Sequence, residues 1–475
     1  MPNLRAAYLS LALLVFVVAS QSSAAEIPVE KSAETHFETL SASEGAKRLE
    51  SSTESAPPIS AANLRLEEAI RMAVEASPKI QKVASAHREA EWKTTEAFAT
   101  YMPTLSGSIN YLLDKKYVLT DIAFGGNPTS IPQILPTTNY SLNAQYLLFD
   151  GGASTQRWRS AQLQETAARQ DLEWAQFQMV REVALQYYKT LAAQILMDVA
   201  NQNAKTLQDH LKDVNLFKKA GISTNYDVLR VEVQVSESQS ELLNATDNVE
   251  NARGHLAEIL GLEEIAHLDG SLPVLTEDLV RSVDVEGFVG RSDLKALRGK
   301  VEALDRLDSA AQRHWFPKVS LGGIYQYYNN RNDRFDDPEN FREAYQVYLA
   351  LTWSFFDGFA STARAHEAIE QKIQLEKITQ QASLKAKQDV GFWKRKFLYF
   401  CSVYKSRLAD IQKAKESLRL AREGHRVGVR TNTDLLDGEA ELYRAQASMI
   451  NAQVGAVEAL GNLELATGKQ FYKFL

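Results

Sequence analysis

The segment Phe149-Asp150-Gly151-Gly152-Ala153-Ser154-Thr155 occurs a second time as Phe356-Asp357-Gly358-Phe359-Ala360-Ser361-Thr362, 207 positions later. The same offset aligns residues 149–261 with residues 356–468 without a gap. The pairs that match include Gly221 with Gly428, Thr224 with Thr431, Asn225 with Asn432, Asp227 with Asp434, and Gly261 with Gly468. One register held over 113 residues indicates a tandem duplication.

The duplication extends upstream of the repeated segment. Pro103 aligns with Pro317 at an offset of 214, so the stretch between the proline and the repeated segment differs in length by seven residues between the two copies. A length difference of this kind is typical of a variable loop. We therefore predict a first repeat over 63–268 and a second repeat over 269–475.

Each repeat is predicted to contain a helix before its proline and a much longer helix after its strands. The shorter helices are expected at 64–101 and 290–315, because the residue before a proline disfavours the helical conformation. Residues 153–219 contain no glycine or proline, and 360–426 contain two glycines. Each is predicted to form one helix of 67 residues, about 100 Å long. A glycine two residues later is expected to end it, and a returning helix with a coiled-coil heptad follows.

Two segments with alternating apolar and polar residues lie between these helices in each repeat. We predict strands at about 104–115 and 139–149, and at about 318–328 and 344–356. Strands of about eleven residues with one apolar and aromatic face are typical of transmembrane β-strands, although a half-buried hairpin of a soluble protein has the same alternation. The stretches 120–138 and 329–343, rich in Gly, Pro and Asn, are predicted loops.

The composition excludes several classes of protein. The mean hydropathy of −0.29 rules out a polytopic helical membrane protein, and a net charge of −7 without a basic patch argues against nucleic acid as the main partner. The single cysteine, Cys401, excludes a disulfide framework and a cysteine-rich metal site. The eight histidines show no close helical pairing, and no nucleotide-binding or hydrolase motif is present. We expect no catalytic residues, no cofactor and no metal.

The N-terminus has the pattern of a secretory signal peptide. Arg5 is followed by the apolar run Leu9 to Val18 and then by small residues at a cleavage site. We predict a signal peptide at 1–25 and a mobile lead-in at 26–62, which is rich in Ser, Glu, Ala and Thr.

Four membrane strands in one chain cannot close a barrel, and open sheet edges are not tolerated in lipid. The chain is therefore expected to form oligomers, and three copies would supply twelve strands.

This organisation resembles the TolC-like outer-membrane efflux protein family over the whole mature chain from about residue 63. The most specific match is the segment from Gly428 to Asp437, which resembles the helical-hairpin tip of that family, Gly-x-x-Thr-x-x-Asp-x-Leu-Asp. The resemblance implies a fold that is mainly α with a membrane β-barrel portion. It implies a homotrimer with a twelve-stranded barrel in the outer-membrane lipid and a helical coiled-coil tunnel through the periplasm.

The resemblance also implies partners and functional residues. Members of the family dock their hairpin tips on periplasmic adaptor proteins and inner-membrane transporters, and they catalyse no reaction. The adaptor-contact residues would be Gly221, Thr224, Asn225, Asp227, Gly428, Thr431 and Asn432. Asp434 and Asp437 match acids that line the periplasmic entrance as a pore constriction, and Arg430 matches a residue that helps to hold this entrance closed.

Other interpretations of these residues and of the whole chain are open. Thr224 with Asp227, and Thr431 with Asp434, also fit the capping-box pattern of a helix start, and Asp437 also fits a solvated surface acid. The chain as a whole could be a secreted or periplasmic coiled-coil structural or adhesive protein without a pore. The paired strands favour the channel, and the sequence does not name its substrate or distinguish efflux from type I secretion.

Overall fold

The computed structural model describes residues 64–113, 118–124, 127–133, 136–265, 268–281, 283–284, 287–329, 331 and 338–472. The predicted signal peptide at 1–25 and the predicted lead-in at 26–62 lie outside these residues.

The described residues form two compact units, which we call the strand unit and the helical unit. The strand unit comprises Thr94–Arg159 and Arg306–Ala368. The helical unit comprises the described residues of Ala56–Lys93, Ser160–Asp305 and Ile369–Leu475.

Helices make up most of the described chain, as the sequence predicts. The two longest helices have 67 residues each, and both occupy the predicted positions. In chain order the helices are α1 (Leu66–Ala76), α2 (Pro78–Ala99), α3 (Ala153–Lys219), α4 (Asn225–Leu260), α5 (Ser292–Ala311), α6 (Ala360–Arg426) and α7 (Asn432–Thr467).

The sequence predicts one helix at 64–101, and the structure has two. Ser77 ends α1 with φ −60° and ψ 126°, an extended conformation, and Pro78 begins α2. The proline ring excludes the helical conformation from the residue before it, so the helix is interrupted there. In the second repeat α5 ends at Ala311, and a short 3₁₀ turn, Gln312–Trp315, completes the approach to Pro317.

Four strands of the strand unit form one antiparallel sheet, namely β1 (Thr104–Tyr111), β4 (Thr138–Phe149), β5 (Lys318–Asn329) and β6 (Phe341–Thr352). They lie side by side in this order. The two strands of each repeat are neighbours, and β4 of the first repeat pairs with β5 of the second. β6 lies about three residues earlier than the sequence places it, and β1 and β6 are the edges of this sheet.

The stretch 120–138 was expected to be a loop, and this expectation is wrong for most of it. Two further strands, β2 (Val118–Phe124) and β3 (Asn127–Gln133), pair as an antiparallel hairpin. Pro128 and Pro132 lie in β3. A two-stranded hairpin tolerates proline where the missing N–H would point away from the partner strand, so the prolines that suggested a loop do not prevent pairing.

The apolar faces of the four main strands lie on one side of their sheet. Gly107 pairs with Leu142, Leu142 with Tyr325, and Tyr325 with Tyr345, and cross-strand partners point to the same side of a sheet. Large apolar side chains on this side are exposed, among them Leu105, Ile109, Leu142, Tyr345, Val347, Leu349 and Leu351. An exposed apolar face of this size indicates a surface that meets something other than water.

The helical unit has one main core, to which both repeats contribute. Met179, Val183 and Tyr187 of α3 pack in one cluster with Phe397 of α6 and Leu460 of α7. Among the described helices, none is both long enough and apolar enough to cross a membrane.

A buried ion pair in the helical unit joins α3 to α7 and also binds the backbone that follows α7. Arg181 Nε donates to Glu464 Oε2 at 3.0 Å, and both side chains are almost fully buried. The other oxygen of Glu464 accepts the backbone N–H groups of Phe471 and Tyr472, at 2.6 and 2.8 Å. Burial of Arg181 lowers its pKa, and burial of Glu464 raises the pKa of its carboxyl group, although each partner opposes the shift of the other.

Candidate pore entrance at the ends of the helical hairpins

The two long helices end in turns of the same design. Gly221, just after α3, has φ +75°, and Gly428, just after α6, has φ +77°. In the first hairpin the Ile222 N–H donates to the Phe217 carbonyl at 2.8 Å, and the equivalent bond in the second hairpin is 2.9 Å. The left-handed conformation strongly favours glycine, so both turns depend on the repeated glycine.

Both returning helices begin with a complete capping box. The Asp227 N–H donates to Thr224 Oγ1 at 3.2 Å, and the Thr224 N–H donates to Asp227 Oδ2 at 2.9 Å. Thr431 and Asp434 make the same two bonds at the same distances. The Thr224 hydroxyl also donates to Asp227 Oδ2 at 2.6 Å, and the Thr431 hydroxyl donates to Asp434 Oδ2 at 2.9 Å. The hydroxyl and then the N–H of Thr224 hold the pKa of Asp227 below its usual range, and the N–H and then the hydroxyl of Thr431 do the same for Asp434. Asp227 and Asp434 are therefore ionised helix caps, whatever further role they have.

Asp437 and Arg430 are the remaining candidate residues of the second hairpin, and their side chains differ in the contacts they make. Asp437 is exposed, and its side chain makes no hydrogen bond or ion pair within the described residues. Arg430 stays within its own hairpin: its Nη1 lies 3.8 Å from Asp434 Oδ1, and its side chain packs so closely on Gly424 that a Cβ there would be 2.5 Å from Arg430 Cγ. Among the described residues, Arg430 makes no hydrogen bond or ion pair with the first hairpin.

Other residues connect the two hairpins near their ends. Arg230 Nη1 donates to Thr433 Oγ1 at 2.8 Å, and His210 Nε2 lies 2.6 Å from Asn432 Oδ1. Leu436 completes an apolar cluster with residues of the first hairpin, namely Leu207, Val214, Val228, Val231 and Val235. Polar contacts and apolar packing therefore both join the two hairpins.

Sequence reasoning missed these connecting residues. No sequence motif singles out either residue: Arg230 stands where the second repeat has Asp437, and His210 is one of eight histidines without a close helical pair. The exchange of Arg230 for Asp437 between the copies was the available signal, because a reversed charge at equivalent positions indicates that the two hairpins have different tasks. His210 gave no comparable signal, since its partner Asn432 lies 222 positions away.

Two titratable residues, Glu439 and His425, lie near these contacts between the hairpins. Glu439 is 5% exposed, its Oε1 lies 3.4 Å from Arg422 Nη2, and its Oε2 is buried without a hydrogen bond in the described structure. Burial raises the pKa of Glu439, against the influence of His210 and Arg422. The ring of His425 contacts those of His210 and Phe217. Its pKa is lowered because it is partly buried and faces His210, while Asp227 acts in the opposite direction.

The described residues contain no group of three His, Cys, Asp or Glu side chains placed to hold a metal ion. Cys401 is buried, and this burial raises its pKa to about 11, so the thiol is unreactive at neutral pH. What the hairpin ends do present is a set of carboxylates beside exposed apolar side chains, including Ile222 and Val429. Such a surface suits cation attraction and protein contact.

The chain is similar to outer-membrane proteins, both in sequence and in fold. The model of the family described as outer membrane efflux protein matches residues 69–262 and 289–469. Outer membrane protein TolC of Vibrio cholerae serotype O1 is 23% identical over 361 residues, which are 71% of this chain and 82% of that protein.

Solved structures of outer-membrane channels have a similar fold. The outer membrane protein VceC from Vibrio cholerae has a TM-score of 0.69 at 18% identity, with 86% of this chain and 97% of that chain covered. The MtrE outer membrane channel of Neisseria gonorrhoeae, solved in an open state, has a TM-score of 0.68 at 21% identity, with 85% and 89% covered.

Proposed function

The chain belongs to the outer membrane efflux protein family, and we propose that it is the outer-membrane channel of a tripartite efflux or type I secretion system. The observation that carries this proposal is the four-stranded sheet with one exposed apolar face. In a protein of the outer membrane, such a face fits the hydrocarbon of the bilayer. A coiled-coil structural or adhesive protein without a pore would not need an exposed apolar sheet face.

Closure of the sheet is the first part of the proposal. β1 and β6 are edge strands, and their backbone groups on the outer side would be left without partners in lipid. Three copies would close twelve strands into a barrel, with the repeats 63–268 and 269–475 alternating around it. Residues 1–25 would direct export and be removed.

The hairpin ends form the second part of the proposal. In a trimer, Asp434 and Asp437 would bring six carboxylates towards one axis at the periplasmic entrance, where they would attract cations. Arg430 would act as a tether of the entrance. The turns around Gly221, Thr224, Asn225 and Asp227, and around Gly428, Thr431 and Asn432, would contact a periplasmic adaptor that is joined to an inner-membrane transporter. The protein would transport without catalysing a reaction.

Fractionation combined with conductance tests this function. The protein should be found in the outer membrane, and the purified trimer should form cation-selective channels in planar bilayers. A water-soluble monomer in the periplasm would exclude the channel and support the coiled-coil alternative.

Cross-linking tests the partners. A photoreactive group placed at Thr224 or Thr431 should capture an adaptor protein in whole cells, and a group placed at the exposed Trp92, away from the hairpin ends, serves as the control. Absence of an adaptor among the products from both hairpin positions would contradict the tripartite assembly.

A further inference from the structure

We propose that one face of α6, midway along the helix, lines the tunnel and binds small organic anions that have an aromatic or apolar body. We call this face the cationic stripe, and its residues are Lys385, Phe392, Arg395, Lys396 and Tyr399. The inference rests on the proposed channel and adds to it a class of substrate that the tunnel wall recognises.

The five residues of the stripe share one side of α6 because their spacing follows the helical repeat. A helix turns by about 100° per residue, so these positions span about 100° around its axis. All five side chains are exposed, with 43% exposure for Phe392 and 57% for Tyr399. Val390, Phe397 and Cys401, which belong to the main core of the helical unit, lie on the opposite side of the helix. The stripe is therefore a surface of its own.

The stripe lies in a strongly basic part of an acidic chain. Residues 384–409 contain seven lysine and arginine residues and one acid, Asp389, although the net charge of the chain is −7. Lys394, outside the stripe, donates to the Val283 carbonyl at 2.8 Å. Among the described residues, none of the three cations of the stripe forms an ion pair. Cations this close together repel one another, and a bound anion would relieve the repulsion.

Lys396 lies between the two exposed rings of the stripe. Its Nζ is 5.8 Å from the centre of the Phe392 ring and 5.7 Å from the centre of the Tyr399 ring. An ammonium group this close to a ring is attracted by the negative face of the ring. A ligand with a carboxylate or sulfonate on an aromatic body can therefore contact the ammonium and the rings together. An inorganic anion would contact the cation alone, and an uncharged aromatic molecule would contact the rings alone.

The first repeat has no such face at the equivalent position. Its residues 177–202 contain two cations and two acids. Lys189, which corresponds to Lys396 at the offset of 207, lies with its Nζ 3.7 Å from Glu458 Oε1. The excess of positive charge and the paired rings thus belong to the second repeat. They are not a requirement of the long helix, because both repeats have that helix.

The contacts of α6 indicate which of its faces would be directed at the lumen. The Cys401 thiol donates to the Leu275 carbonyl at 3.7 Å, so the stretch of chain before α5 covers the side opposite the stripe. One flank of α6 packs on α7, where a Cβ on Gly455 would lie 2.5 Å from Phe400 Cε1. A stretch of chain inside the proposed tunnel would obstruct it, so the covered side is the outer side. The stripe would then face the lumen.

The stripe is well separated from the carboxylates at the hairpin ends. Phe392 precedes Arg426, the last residue of α6, by 34 residues, which is about 50 Å at the rise of an α-helix. At physiological ionic strength charges are screened over about 8 Å, so the two charged regions would act independently. A substrate would meet the carboxylates first and the cationic stripe midway along α6.

Binding of naphthalene-2-sulfonate to the purified trimer, measured by equilibrium dialysis, tests the ligand class. Lys396→Gln should weaken binding about tenfold, because an interaction with a charged group is lost. Phe392→Leu with Tyr399→Ala introduces the residues of the first repeat and should weaken binding to a similar extent. Lys387→Gln is the matched control, since it removes an exposed lysine on the other side of the same helix and should leave binding unchanged. Methanesulfonate, which has no ring, should not compete.

Cysteine modification tests the orientation of the stripe in a chain that carries Cys401→Ala. Lys396→Cys should react, in the assembled trimer, with sulfonatoethyl methanethiosulfonate, a negatively charged thiol reagent. The reaction should shift the reversal potential towards cation selectivity in about 10 mM salt, where charges act over about 30 Å. Lys387→Cys is the control, and it should react without such a shift.

The results separate this inference from the proposed function. In a trimer that conducts ions, equal affinity of Lys396→Gln and Lys387→Gln for naphthalene-2-sulfonate would overturn the binding surface and leave the channel intact. Absence of binding would do the same. An unreactive Lys396→Cys variant would show that a neighbouring copy covers the stripe, and a reaction without a shift would show that the stripe faces outwards, so both would overturn the inference. Failure to form trimers or to conduct would overturn the proposed function itself.

Discussion

The Arg230 guanidinium donates a 2.8 Å hydrogen bond to the Thr433 hydroxyl and so joins the first helical hairpin of the chain to the second near their ends. Arg230 occupies the position that Asp437 holds in the other repeat. Two copies of one ancestral hairpin have thus become different, one with a cation that binds its neighbour and the other with an exposed acid.

Removal of the Arg230–Thr433 bond should loosen the entrance. We expect Arg230→Ala to increase the mean single-channel conductance in planar bilayers, because a hydrogen bond to a charged group stabilises by about 1.5–3 kcal/mol. Thr433→Val should have a similar effect, and the double variant should add little to either change. Lys212→Ala is the comparison, because Lys212 is an exposed cation of the same hairpin whose ion pair is with Asp209 of its own helix. Equal conductance in Arg230→Ala and the unmodified protein would contradict this role.

Asp434 and Asp437 should respond differently to substitution. Asp437→Asn should reduce cation selectivity and leave thermal stability unchanged, because the side chain is exposed and makes no contact in the described chain. Asp434→Asn should reduce selectivity and also lower the melting temperature, because a neutral amide oxygen accepts the Thr431 N–H less strongly than a carboxylate does. Reversal potentials in a salt gradient and thermal unfolding measure the two effects. Unchanged selectivity in the double variant Asp434→Ala/Asp437→Ala would exclude a pore constriction at these residues.

Acidification should destabilise the hairpin ends through His425. Its pKa is lowered in the folded protein, so the unfolded chain binds the proton more tightly, and stability is lost as the pH falls below the ordinary value of 6.5. His425→Phe should therefore show a smaller decrease in melting temperature between pH 7.5 and pH 5.5. Glu439 opposes this trend, because its raised pKa favours the folded state as the pH falls. The comparison is best made in a Glu439→Gln background, where an identical pH dependence with and without His425 would refute the assignment.

The buried pair of Arg181 and Glu464 should be sensitive to loss of one partner. Arg181→Met leaves a carboxylate buried with only two backbone partners, and we expect a loss of about 3–5 kcal/mol in the free energy of unfolding. Arg181→Met with Glu464→Gln should recover part of this loss, because the uncompensated charge is gone. Denaturant unfolding of the purified protein measures both. A double variant less stable than the single variant would show that the pair is not the source of the effect.

The sequence predicts the repeat, the long helices and the hairpin turns well, because each depends on local signals. Gly221 and Gly428 are followed after three residues by Thr224 and Thr431, and this spacing fixes both turns and both caps. The contacts that join the hairpins could not be predicted in this way. His210 and Asn432 meet only because two long helices pack in a particular register, which no local pattern specifies. The β2–β3 hairpin was missed for the opposite reason, since its prolines are a strong local signal for a loop.

The core of the helical unit has a consequence for the order in which the protein is made. It contains Leu64 and Ile70 from the beginning of the described chain and Leu463 from its end, and Glu464 is satisfied only when the amides of Phe471 and Tyr472 reach it. A chain that emerges from its N-terminus cannot complete this core until residues 463–472 have been delivered. A copy that ends before Phe471 would leave Glu464 without its two backbone donors, and this defect would be present before the copy joins an assembly.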